Sequence, residues 1–145
     1  VALGWFGRFI TESDDPQFKG QMNLKQTATL PLVEAMRLLA LRDGIQRTST
    51  LRRMDALKDK GVLSNDEHDY LAGAYRHISF LLLRRQLADF HAGKRVTNYV
   101  HPDSLTERER DMLTEGLKAV RALRRRLKSE ITGELLGPSS YAGGA

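Results

Sequence analysis

Leu71–Phe90 reads LAGAYRHISFLLLRRQLADF, a run that is apolar almost all the way round a helix yet carries Arg84, Arg85 and Gln86 in the middle of LLLRRQL. A guanidinium buried without a partner is strongly unfavourable, so these groups must reach solvent, meet acidic side chains, or line a polar pocket that takes an anionic ligand or another domain. Which of these holds is the functional question the chain poses.

Upstream of this run, Ser64 with Glu67 three positions on forms a capping box, and Asp66 and Asp69 add negative charge at the positive end of the helix dipole. The helix is therefore expected from Ser64 to about His91, roughly 40 Å at 1.5 Å per residue, with room for a kink near Gly73. Before it, Pro31 opens a first helix with Leu32, Val33, Met36, Leu39 and Ala40 at helical spacing, closed by Asp43-Gly44. A second starts at Thr48-Ser49-Thr50, runs through Leu51, Met54 and Leu57, and ends at Gly61. After it, Pro102-Asp103-Ser104 is expected to open the last helix, with Glu107 completing its capping box and Leu113, Leu117, Val120, Leu127 and Ile131 as its buried stripe. Four amphipathic helices on short loops predict an all-α antiparallel bundle.

The ends read differently. Residues 1–28 form a lead-in: Gly4-Trp5-Phe6-Gly7 and Phe9-Ile10 are β-compatible, Asp14-Asp15-Pro16 is a turn, and Gln21-Met22-Asn23-Leu24 is extended again. Its aromatic groups are expected to pack on the bundle or on a missing upstream domain. Residues 29–136 are the helical domain, and 137–145, GPSSYAGGA in the last nine positions, a flexible tail. The absence of an initiator Met suggests a piece of a longer chain. The opening VALGWFGRFI is too short to span a bilayer and has no basic flank, which argues against a membrane anchor or a signal peptide.

The chain has no cysteine, which excludes a disulfide framework and a thiolate zinc site and suits the cytoplasm. The net charge of +5 is scattered: by segment it is 0 for residues 1–30, +3 for 31–63, −1 for 64–93 and +3 for 94–145. That spread describes a solvated helical surface with local basic clusters more than a phosphate-tracking stripe.

No catalytic apparatus is legible. His68, His77, His91 and His101 lack metal-ligand spacing, and Asp66-Glu67-His68-Asp69 is explained by helix capping. Gly4-x-x-Gly7 lacks the Lys-Ser/Thr ending of a phosphate loop, and Ser79 lacks the glycines of a nucleophile elbow. No catalytic and no metal residue is assigned.

Recognition residues are another matter. Arg37 shares the edge of the first helix's buried stripe; Thr48, Thr50 and Arg53 gather at the start of the second; Arg84 and Gln86 lie on the third. Arginines beside a helix N-terminus could receive phosphate or carboxylate. Against this stands the plainer reading, in which Thr48 or Thr50 caps a helix and the arginines pair with Glu34, Asp43 or Asp55. RTSTLRRMDALKDKGVLS also imitates a DNA-reading helix-turn-helix, although Ser64 opens a long helix where a wing would follow. The run Arg124-Arg125-Arg126 reads as a solvated face.

Taken in order, PLVEAMRLLALRDGI, TSTLRRM, LLLRRQL and NYVHPDSLTERERDMLTEGLKAVRALRRRL resemble the nucleotidyltransferase substrate-binding domain of the DUF294 family, from about Leu3 to Leu136. That module follows a nucleotidyltransferase domain in bacterial signal-transduction proteins similar to the protein-PII uridylyltransferases. The resemblance implies a non-catalytic helical domain beside a catalytic domain in cis, in the cytoplasm, with Mg2+ and a nucleoside triphosphate held upstream and no cofactor in this fragment. It carries the family's patterned polar residues onto Arg37, Thr48, Thr50, Arg53, Arg84 and Gln86, which would line an inter-helix pocket for a phosphate-bearing or acidic ligand, either a nucleotide or a protein substrate. Asn23, Leu82 and Arg85 depart from the family pattern, which has an acid, an arginine and a histidine there. The alternatives are a helix-turn-helix DNA-binding module, with nucleic acid the less expected partner, and a structural dimerisation bundle that makes a homodimer.

Overall fold

The computed structural model describes residues 3, 4 and 8–136; the β-compatible Trp5-Phe6-Gly7 and the tail at 137–145 lie outside the described residues. The helices are α1 (Leu30–Arg42), α2 (Thr50–Asp59), α3 (Asn65–His91) and α4 (Glu107–Leu136). Two short strands, β1 (Met22–Asn23) and β2 (Tyr99–Val100), pair antiparallel, Met22 opposite Val100 and Asn23 opposite Tyr99. The expected all-α bundle is what forms, with this small ribbon at one end.

The long pair α3 and α4 is the spine. Three contacts fix its sense: Arg126 reaches Glu67, Gly116 lies against Ala74, and Glu109 meets Arg84, so one helix climbs as the other descends. Its core divides in two. Near the ribbon, Met22, Leu24 and Ala28 pack with Ile78, Leu81, Val100, Leu113 and Leu117; Leu3 and Phe9 of the lead-in join them. Towards the other end, Leu32, Met36 and Leu39 of α1 and Met54 and Leu57 of α2 pack with Leu71, Val120 and Leu127. Residues of the lead-in are thus part of the bundle's own core.

Several boundaries move. Ahead of α1, Lys25–Thr29 form a π turn in which the Leu30 N–H reaches the Lys25 carbonyl. Pro31 brings no N–H of its own, so the wider turn falls beside the position that lacks a donor. The cap of α2 is Ser49, whose hydroxyl accepts from the Arg52 N–H at 3.2 Å, and neither Thr48 nor Thr50. The capping box of α3 forms as expected, Ser64 Oγ taking the Glu67 N–H at 3.1 Å and Glu67 taking the Ser64 N–H at 2.8 Å. That of α4 lies two residues later than expected, on Thr106 and Glu109 in place of Ser104 and Glu107. Pro102–Ser104 make an isolated 3-10 turn, Leu105 drops into the core in an extended conformation, and Thr106 then pairs with Glu109, at 3.2 and 3.0 Å. Burying Leu105 breaks the helix that Asp103 and Ser104 would otherwise have started. Ile131, expected in the buried stripe, is 37% exposed and lines the open groove between α1 and α4.

Candidate functional site

The six residues singled out from sequence fall in three places. Arg37 stands on the exposed side of α1. Thr48 is exposed before α2, Thr50 is buried in its first turn, and Arg53 donates its Nε–H to the Arg47 carbonyl at 2.8 Å. Arg84 donates to both carboxylate oxygens of Glu109, at 2.5 and 3.1 Å, and its guanidinium carbon lies 5.3 Å from the centre of the Phe80 ring. Gln86 donates from its amide to Asn98 Oδ1 at 3.0 Å.

No hydrogen bond joins one group to another, and the four hollows traced on the described surface contain none of the six. None of these four hollows gathers them. α4 and the loop before it bring Glu109 to Arg84 and Asn98 to Gln86, so both polar groups have partners within the chain. Arg85 is satisfied likewise, by Asp89 one turn on.

Asp89 is itself a junction, 4% exposed, accepting from the Thr97 N–H and hydroxyl, both at 3.1 Å, as well as from Arg85. Burial pushes its carboxyl pKa up, but the Thr97 N–H and then the Arg85 guanidinium outweigh this and hold it below the ordinary value. Glu109 is pulled down to about 2, first by Arg84 and then by the Thr106 N–H.

Cations collect elsewhere. Pro31, Glu34, Ala35 and Leu38 of α1 face Arg121, Arg124, Arg125 and Lys128 of α4 across a groove of about 510 Å³, with Leu127 in its floor and Ile131 towards its end. The four basic residues recur at the spacing i, i+3, i+4, i+7, which places them on one side of the helix. Arg121 is tied down by donating to the Leu3 carbonyl. Arg124, Arg125 and Lys128 are exposed and make no ion pair among the described residues. With Glu34 the one acid lining it, the groove is a positively charged trough on an apolar floor, suited to an anion that also carries apolar surface.

Arg126 takes no part. It turns inward, donating to Glu67, to the Val62 carbonyl at 2.6 Å and to Glu130 at 3.0 Å, while Arg42 meets the other oxygen of Glu130 at 2.6 Å. The arginine run that reads as one solvated face is therefore divided, its third member serving as a clasp. The one-sided spacing was visible in the sequence, but that α1 would form the facing wall was not.

Among the described residues no three His, Asp or Glu side chains gather closely enough to hold a metal ion, and no helix is long and apolar enough to cross a membrane. Residues 1–131 match the model of a family described as "Putative nucleotidyltransferase substrate binding domain". No curated protein and no solved structure matches the chain.

Proposed function

The chain belongs to this family of nucleotidyltransferase substrate binding domains, and from that membership we propose that it is the non-catalytic, substrate-side part of a cytoplasmic bacterial signalling nucleotidyltransferase, receiving a phosphate-bearing or acidic ligand in the α1–α4 groove. The observation that carries the proposal is the placing of Arg121, Arg124, Arg125 and Lys128 along one wall of a single trough. Phosphate and carboxylate oxygens accept charge-assisted hydrogen bonds from guanidinium groups, often two from one arginine, while the apolar floor takes a base or side chain. Transfer chemistry, with its Mg2+ and nucleoside triphosphate, would belong to a catalytic domain in cis.

Calorimetric titration with a nucleoside triphosphate tests this on the wild-type chain, Arg125→Glu and Arg84→Ala. Arg125→Glu is expected to weaken binding at least tenfold and Arg84→Ala to leave it within twofold. Loss on Arg84→Ala alone would return the ligand to the α3 arginine expected from sequence; equal affinities for all three forms would remove the groove from the proposal. A duplex-DNA titration across a salt series addresses the nucleic-acid alternative, since binding through phosphates falls steeply as salt rises.

A further inference from the structure

The face of α3 turned away from the bundle is not polar. Phe80, Leu83, Leu87 and Phe90 are 53%, 55%, 47% and 70% exposed. At 3.6 residues per turn they occupy an arc of about 80°, half a turn from Leu71, Ile78 and Leu81, which enter the core. Their spacing of three, four and three is the a-d-a-d pattern of a coiled-coil seam, on a side of the helix that none of the described elements covers.

The order is also a palindrome. Phe-x-x-Leu-x-x-x-Leu-x-x-Phe reads alike in both directions about Arg85. A two-fold axis requires a self-complementary surface. This seam supplies one: in an antiparallel pair Phe80 meets Phe90 of the second copy, and Leu83 meets its Leu87. A different partner would have no need of that symmetry.

Charge does not oppose the pairing along this length. Arg84, which flanks the seam, is neutralised by Glu109 and keeps Phe80 in place beneath its guanidinium, and Arg85 points to the opposite side, towards Asp89. Gln86, on the other flank, is uncharged. Arg76 lies on the same face one turn before Phe80 and bounds the seam.

Taking an exposed aromatic side chain as roughly 200 Å² and leucine as slightly less, the four residues leave on the order of 400 Å² of each chain open to water. Two copies with their flanking residues would then cover about 1,000 Å², the lower end of specific interfaces, which suits a reversible dimer.

We propose that α3 pairs antiparallel with α3 of a second copy of this chain through Phe80, Leu83, Leu87 and Phe90, about a two-fold axis passing at Arg85. The proposal is independent of the groove, which lies on α1 and α4.

The lack of cysteine allows a direct test of the register. Leu83→Cys and Leu87→Cys variants, each confirmed as folded by circular dichroism, are oxidised separately and as an equimolar mixture. A bridge needs Cα atoms within about 7 Å, which the register grants to position 83 against 87 but not to either position against itself. The mixture should therefore give at least five times more disulfide dimer than either variant alone. Sedimentation of the cysteine-free chain should show a concentration-dependent dimer that tightens with salt and is lost in Leu87→Glu. A chain that stays monomeric to about 100 µM, a dimer that survives Leu87→Glu, or variants that bridge to themselves as readily as to each other would each overturn the proposal.

Discussion

Arg84 and Glu109 form a two-point ion pair across α3 and α4, at 2.5 and 3.1 Å, and the same carboxylate accepts the Thr106 N–H that caps α4. A residue that looked free to receive a ligand is thereby committed to fixing where α4 begins.

The Glu109 carboxyl sits at about 2 against an ordinary 4.5. A group whose folded pKa is depressed contributes stability that is fully present above its unfolded value and disappears as pH falls through the folded one. The difference in stability between wild type and Glu109→Gln should therefore be constant from neutral pH to about 5 and vanish between roughly pH 4.5 and 2. Glutamine keeps the capping bond, so at pH 7 the variant should lose only about 1 kcal/mol, modest because Arg84 is 43% exposed. Urea unfolding of both forms over that pH range measures it; a difference that persists at pH 2 would mean the ion pair is not its source.

Asp89 anchors the loop from the end of α3 to β2. Asp89→Ala would leave the Thr97 N–H and the Arg85 guanidinium without their acceptor, at a cost of about 3 kcal/mol. Asp89→Asn keeps one acceptor oxygen and should cost about half as much. Chemical denaturation gives the two values, and amide exchange at Thr97 should quicken in both variants; an Asp89→Ala chain as stable as wild type would show the junction to be dispensable.

The elements that could be read from sequence are those whose signals are local. Ser64 and Glu67 mark the start of α3 because both partners of the cap lie within four residues, and Leu113, Leu117, Val120 and Leu127 mark the buried side of α4 by their spacing alone. The pairing of Met22 with Val100 and the late start of α4 depend on what lies across the bundle, which spacing does not encode. The same holds for the site. Arg84 could be identified as a charge needing a partner, but Glu109 lies 25 residues away, and only the antiparallel return of α4 decides between that acid and a ligand. Arg124 to Arg126 show the limit from the other side: adjacent in sequence, they point to different surroundings because each step turns about 100° round the helix.

The groove makes a prediction about salt. Three exposed cations near one another attract an anion through a field that ions screen over about 8 Å at physiological strength. Raising sodium chloride from 50 to 500 mM should weaken nucleoside triphosphate binding by about tenfold or more in wild type, and clearly less in Arg125→Gln, which has given up part of that field. Calorimetry at four salt concentrations gives the two slopes. Parallel slopes would mean that Arg125 does not sense the ligand's charge.

Two glycines on facing helices should respond in opposite ways to the same substitution. A Cβ on Gly116 would stand 2.8 Å from the Ala74 Cβ, closer than carbon atoms tolerate, so Gly116→Ala must push α3 and α4 apart. The expected cost is about 1–3 kcal/mol, the usual range for overfilling a packed contact. Gly73, one residue before Ala74, meets nothing within 4 Å and has ordinary helical geometry. Gly73→Ala should therefore stabilise the chain by up to about 1 kcal/mol, since alanine restricts the unfolded chain and favours helix. If the kink allowed for at Gly73 carried a function in the bundle, the alanine would instead destabilise it, and thermal unfolding of the two variants decides which.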